Sequence, residues 1–208
     1  ALPICMVAHS PGIRPTSTQS LIMAKPFSLC VYCGSKPGHD PEYAKLARQV
    51  GQWLGSNGHE LVYGGGSGGL MGIVADATAE HGGRVFGVIP QALVEKELAR
   101  SSCDELKVVS TMHERKHTMA ERAHAFLALP GGIGTFEEFF EVWTWRQLGY
   151  HNKPIGLLNH QGFYDGLISF TEHSLHEGFM GEWQMNLIHI ESDPMALLER
   201  LQHQAQLA

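Results

Sequence analysis

The chain has only four cysteines, Cys5, Cys30, Cys33 and Cys103. A small disulfide-stapled secreted fold needs more, so a reducing compartment, and with it a cytoplasmic location, is expected. No apolar run is long enough to span a bilayer, so no membrane partner is expected. An excess of positive charge is missing too: 15 basic residues face 21 acidic ones, for a net charge of -6. That balance argues against a nucleic-acid backbone as partner, and it means that any anionic ligand must be held by local geometry. No basic segment precedes "ALPICMVA" at the start, so a secretory signal is not expected.

What remains reads as one domain of ordinary size with a real core. Residues 1–24 lack the period of helix or strand and read as an appendage with no deduced function, with Met23 a candidate start. Residues 25–208 read as a single domain. Strand-like runs are "FSLCVYC" (27–33), "ELVYGG" (60–65), "RVFGVIP" (84–90), "ELKVVS" (105–110), "AHAFLALP" (123–130), "KPIGLLN" (153–159) and "NLIHIES" (186–192). Most are continuous apolar runs, the mark of strands covered on both faces. Between them lie helical patterns with clear start signals. Asp40-Pro41 and Asp193-Pro194 each pair a capping carboxylate with an N1 proline, and Gly58 can end the first helix. This alternation predicts an α/β fold: a doubly wound, mostly parallel, Rossmann-like sheet of about seven strands with helices on both faces. Cys30 and Cys33 sit within the first strand, three residues apart, and so point to opposite faces. They are expected as packed side chains, not as a redox pair or metal clip.

In such a sheet ligands sit beyond the carboxyl ends of the strands. Four segments fall there: "CGSKPG", "GGGSGGLMG", "MHERKH" and "PGGIGTFEE". The second contains G-x-G-x-x-G through Gly64, Gly66 and Gly69. A dinucleotide site also needs an acidic residue about 20 positions on, where "FGVIPQ" (86–91) has none. "HERKH" (113–117) matches the zinc motif H-E-x-x-H, but it places Arg115 and Lys116 beside the supposed metal and no third ligand is evident. Without a metal it offers a guanidinium and an ammonium at a helix start. In the last segment the glycines allow close backbone approach, and a helix N-terminus supplies amides and positive potential for phosphate. Thr135 and Glu138 form T-x-x-E, which predicts a capping box with Phe136 as N1 and leaves Glu137 free to face ligand. Whether Glu138 serves as cap or as catalyst stays open at this level.

"VYCGS" (31–35), "YGGGSGGLMG" (63–72), "MHERK" (112–116) and above all "PGGIGTFEE" (130–138) together resemble the LOG (Lonely Guy) family of cytokinin riboside 5′-monophosphate phosphoribohydrolases. The family signature P-G-G-x-G-T-x-x-E is matched at every defined position, and the resemblance runs from about 27 to 200. Ile133 stands where tyrosine is common. The resemblance implies hydrolysis of the N-glycosidic bond of AMP-type nucleotides, giving free base and ribose 5-phosphate. It implies catalytic roles for Arg115 and Glu138, and ligand contacts at Ser35, Glu97, Lys116, Gly131, Gly132, Gly134, Thr135 and Glu137. It implies no cofactor and no metal, and nothing in the chain reads as the pyridoxal phosphate site of a decarboxylase.

The chemistry is coherent. Breaking the C1′–N9 bond passes through an oxocarbenium-like cation that a carboxylate stabilises, and the same group can activate the water. Arg115 is placed to meet either the departing base or the phosphate. Two other readings share the fold: a non-catalytic nucleotide-binding module, and a nicotinamide-dependent oxidoreductase. The helix after the motif carries Phe136, Phe139, Phe140, Trp143 and Trp145. Phe136, Phe140 and Trp143 share one face, and Phe139 and Trp145 spread beyond it. A single stripe suffices to cover a sheet, so the wider aromatic surface predicts a homodimer with this helix at or near the interface.

Overall fold

The computed structural model describes residues 27–94 and 103–207. In chain order they form β1 (Ser28–Tyr32), α1 (Pro41–Ser56), β2 (Glu60–Tyr63), α2 (Gly69–Glu80), β3 (Arg84–Pro90), β4 (Glu105–Val109), α3 (Met112–Arg122), β5 (Ala125–Ala128), α4 (Ile133–Gln147), β6 (Ile155–Leu158), α5 (Asp165–His176), α6 (Glu182–Met185), β7 (Ile188–Glu191) and α7 (Pro194–Leu207). Each of the seven predicted runs contains one strand. The sheet order is β4-β3-β2-β1-β5-β6-β7, and every pairing is parallel. The chain builds outward from β1 to β4, then returns and builds the other way from β5. The reversal between β1 and β5 opens a crevice at their carboxyl ends, which is where such sheets bind ligands.

Alternation along the strands sorts the core into two layers. Leu29, Val31 and Cys33 pack with Leu61, Tyr63, Leu127 and the buried faces of α1, α2 and α7. Cys30 and Tyr32 pack with Val62, Phe126, Ala128 and the buried faces of α3 and α4. The two cysteines therefore lie on opposite sides of the sheet, each a free, buried thiol. Burial pushes both well above the usual thiol range, as expected of packing groups.

The helix starts follow their sequence signals. Asp40 accepts a hydrogen bond from the Glu42 amide at 2.9 Å, and Asp193 from the Ala196 amide at 2.8 Å. At the opposite end of the sheet Glu60 is buried and takes a bidentate pair from Arg122, at 2.9 and 2.8 Å, beneath the Phe86 ring. This ties α3 to β2 and fixes the helix that carries Arg115. No helix among the described residues is long and apolar enough to cross a membrane.

Candidate active site

Three loops meet at the crevice and are laced by main-chain hydrogen bonds. The Gly34 amide donates to the Pro130 carbonyl at 3.1 Å, and the Gly34 carbonyl accepts from the Leu70 amide at 3.0 Å. The β1–α1, β2–α2 and β5–α4 connections are thus tied to one another. Close approach at Gly131 completes the lacing: a Cβ there would lie 2.1 Å from Thr135 Oγ1 and 2.9 Å from the Gly34 nitrogen. Only glycine fits.

A cavity of about 300 Å³ opens on this junction. Ser35, Gly132, Gly134, Thr135, Glu137 and Glu138 line it, with Arg115 from α3. Met71, Leu93, Met112 and the highly exposed Ile133 form its apolar side. The first amides of α4 have no acceptor within the helix and carry its positive end, which makes this edge suited to phosphate.

The capping box expected at Thr135 and Glu138 does not form. Helix α4 begins three residues earlier than expected, at Ile133, with Gly132 as its cap and no side-chain capping bond. Thr135 is the third helical residue and is buried. Glu138 is thereby released from a structural duty. The T-x-x-E pattern that does close a box is Thr111–Glu114, at the start of α3. There Glu114 accepts from the Ser110 and Thr111 amides, and its own amide donates to Thr111. In the sequence that box overlaps the H-E-x-x-H run, which shares Glu114. The motif's residues are otherwise engaged: Glu114 caps the helix, and His117 faces Glu121 at 3.3 Å. Among the described residues no cluster of three His, Cys, Asp or Glu side chains converges as a metal site.

The capping box sets α3 so that Arg115 turns inward. Its side chain is only 6% exposed, and its Nη2 donates to the Gly64 carbonyl at 3.1 Å. Glu138 is partly buried, and burial raises its carboxyl from 4.5 to about 7. The Arg115 cation opposes that rise, Glu137 adds to it, and Lys116 and Glu141 act as smaller influences of opposite sign. A carboxyl balanced near neutrality beside a buried guanidinium can exchange a proton at ordinary pH.

Lys116 stands differently from expectation. It does not line the cavity but is held between Glu137 and Glu141, the latter at 2.9 Å. It braces α3 against α4. Gly131 lines a smaller neighbouring cavity, of about 230 Å³, that shares Gly34, Ser35 and Gly132 with the first. Glu97 lies outside the described residues, as does the 1–24 appendage.

Along α4 the buried stripe is Thr135, Phe139, Val142 and Trp143, at the i, i+4, i+7 spacing of one helical face. Of the face expected to carry Phe136, Phe140 and Trp143, only Trp143 is fully buried, and Phe139, expected beyond that face, is buried with it. Phe136, Phe140 and Trp145 are half-buried flanks.

Fold and crevice together define the class: a doubly wound α/β protein whose site is built on helix N-termini at the switch point. A protein-family model described as "Possible lysine decarboxylase" matches residues 71–201. The chain is 45% identical over 174 residues to the cytokinin riboside 5′-monophosphate phosphoribohydrolase LOG2 of Arabidopsis thaliana, covering 84% of this chain and 82% of that protein. It is likewise 45% identical over 174 residues to the probable enzyme of that name, LOG4, of Oryza sativa subsp. japonica, covering 84% and 76%. The chain belongs to the LOG family. Among solved structures, the Moco carrier protein of Chlamydomonas reinhardtii superposes with a TM-score of 0.64 over 88% of this chain and 99% of that one. At 21% identity this likeness speaks for the fold alone.

Proposed function

We propose that this protein hydrolyses the N-glycosidic bond of AMP-type nucleotides, including those modified at N6, to free base and ribose 5-phosphate. The observation that carries the reading is the meeting, at one cavity, of the α4 amides, the buried Arg115 and the partly buried Glu138. The amides and Thr135 take the 5′-phosphate. This sets the C1′ carbon against Glu138. Ionised Glu138 stabilises the developing ribosyl cation and accepts a proton from water as the water oxygen bonds to C1′ and the C1′–N9 bond breaks. Arg115 balances the negative charge gathering on the departing base, which takes the proton from Glu138 and leaves as neutral base. Lysine decarboxylation fits less well. It would need a lysine in this cavity to hold pyridoxal phosphate; among the described residues none lines it, and Lys116 nearby is committed to two carboxylates.

We also infer a two-fold homodimer that packs near α4. In support, Trp145 and the exposed Tyr150 line a further cavity of about 470 Å³ with His117, Glu121 and Lys153, on the outer side of α3 and α4. Such half-covered aromatic surface is typical of interface cores. Light scattering at micromolar concentration should give twice the chain mass; a fully active monomer would refute the dimer. For the reaction, AMP and adenosine should be compared by release of adenine. AMP should be by far the better substrate, and equal kcat/KM for the two would remove the phosphate from the account.

A further inference from the structure

We propose that Gly64 is a positioning residue for this reaction, its carbonyl and its bare Cα together setting where the Arg115 guanidinium sits. The proposal rests on the reading that Arg115 acts on substrate. Gly64 belongs to the glycine run after β2, 51 residues from Arg115 in the chain, and accepts the hydrogen bond from Nη2. A Cβ on Gly64 would stand 1.9 Å from that same Nη2, 3.1 Å from Cζ and 3.5 Å from Nε. The three nearest atoms all belong to Arg115. Gly64 also differs from its neighbours Gly65 and Gly69, whose φ angles of 75° and 58° demand glycine on conformational grounds. Its φ is not in that region, so the backbone alone would accept an alanine. The guanidinium would not.

Among the described residues little else holds Arg115. Its Nη1 makes a long contact of 3.8 Å to the Met112 sulfur, and its Nε is buried with no acceptor. Among the described residues no carboxylate lies within ion-pair distance of it. A buried cation with one firm anchor takes its position from that anchor. The missing side chain at Gly64 lets Nη2 of the guanidinium come end-on against the backbone, and the carbonyl holds it there. Position governs the benefit of such a group, because a displacement of about 1 Å from productive geometry costs about 100-fold in rate.

A double-mutant cycle tests this: wild type, Gly64→Ala, Arg115→Ala and the double variant, each measured for kcat and KM on AMP and, by calorimetry, for AMP affinity. Gly64→Ala should lower kcat by about 100-fold. It should also displace the acid limb of the pH profile, since Glu138 responds to Arg115 as well as to Glu137, Lys116 and Glu141. In the Arg115→Ala background, where turnover is lost and the cycle is read in AMP affinity, the same substitution should change little, because the atoms it would strike are gone. Losses that multiply in the double variant, or normal kcat with an unmoved acid limb in Gly64→Ala, would overturn the proposal. If Gly64→Ala fails to fold, the double variant should fold; its failure also would overturn it. Should wild type release no base, the functional reading falls, and the cycle is still read in AMP affinity.

Discussion

Replacing Glu138 with glutamine should make the protein less active and more stable at once. Burial holds this carboxyl at about 7 where an ordinary one ionises at 4.5, so between those values the folded state keeps a proton that the unfolded chain has released. The slope of unfolding free energy with pH is then negative, and stability falls as pH rises through this window and levels off above it. At about 1.4 kcal/mol per pH unit, the folded protein loses about 3 kcal/mol by pH 8 in keeping an ionised Glu138. Glutamine has nearly the same shape and no charge to bury. Denaturant unfolding should therefore show Glu138→Gln more stable than wild type by about 2–3 kcal/mol at pH 8, with the advantage shrinking toward zero near pH 4.5. Base release should be lost in the variant, while wild type gains activity through pH 7 as the carboxylate forms. A stability difference that does not change with pH, or a less stable variant at pH 8, would refute the reasoning.

Other expectations follow from single contacts. Glu60→Gln should lower stability by about 2 kcal/mol through loss of the bidentate Arg122 pair, read by denaturant unfolding, and should leave KM for AMP unchanged. Gly131→Ala should raise KM for AMP, because the added Cβ collides with Thr135 Oγ1 and pries the β5–α4 loop from Gly34; an unchanged KM would show that this lacing does not shape the phosphate site. Treatment with a chelator should leave turnover unchanged, since Glu114 caps α3 and His117 faces Glu121; activity lost and restored by zinc would reopen the metal reading of "HERKH".

Much of this was legible in the residues. Continuous apolar runs gave most of the strands, because strands covered on both faces have no polar side to mark them otherwise; the edge strand β4 is mostly exposed and carries charge. Asp-Pro pairs marked α1 and α7, because a capping carboxylate and a proline at N1 suit only a helix start. The T-x-x-E pattern was ambiguous because it occurs three times, at Thr111, at Thr118 inside α3 and at Thr135. Which one closes a box depends on where the helix begins, and at α4 the glycines let the backbone turn helical before Thr135. The anchoring of Arg115 on Gly64 was not legible, because it joins residues brought together only by the sheet order. Neither was the raised carboxyl of Glu138, which comes from packing, nor the diversion of Lys116 into ion pairs across two helices.

The most direct test of the central claim is the product balance with AMP, and with AMP carrying an isoprenoid group on N6, followed by chromatography of the base and assay of the sugar phosphate. Free base and ribose 5-phosphate should appear in equal amounts with wild type, and neither should appear with Arg115→Ala or Glu138→Gln proteins that remain folded. Nucleotide that binds and is recovered intact from wild type, or turnover undiminished in both variants, would contradict the account.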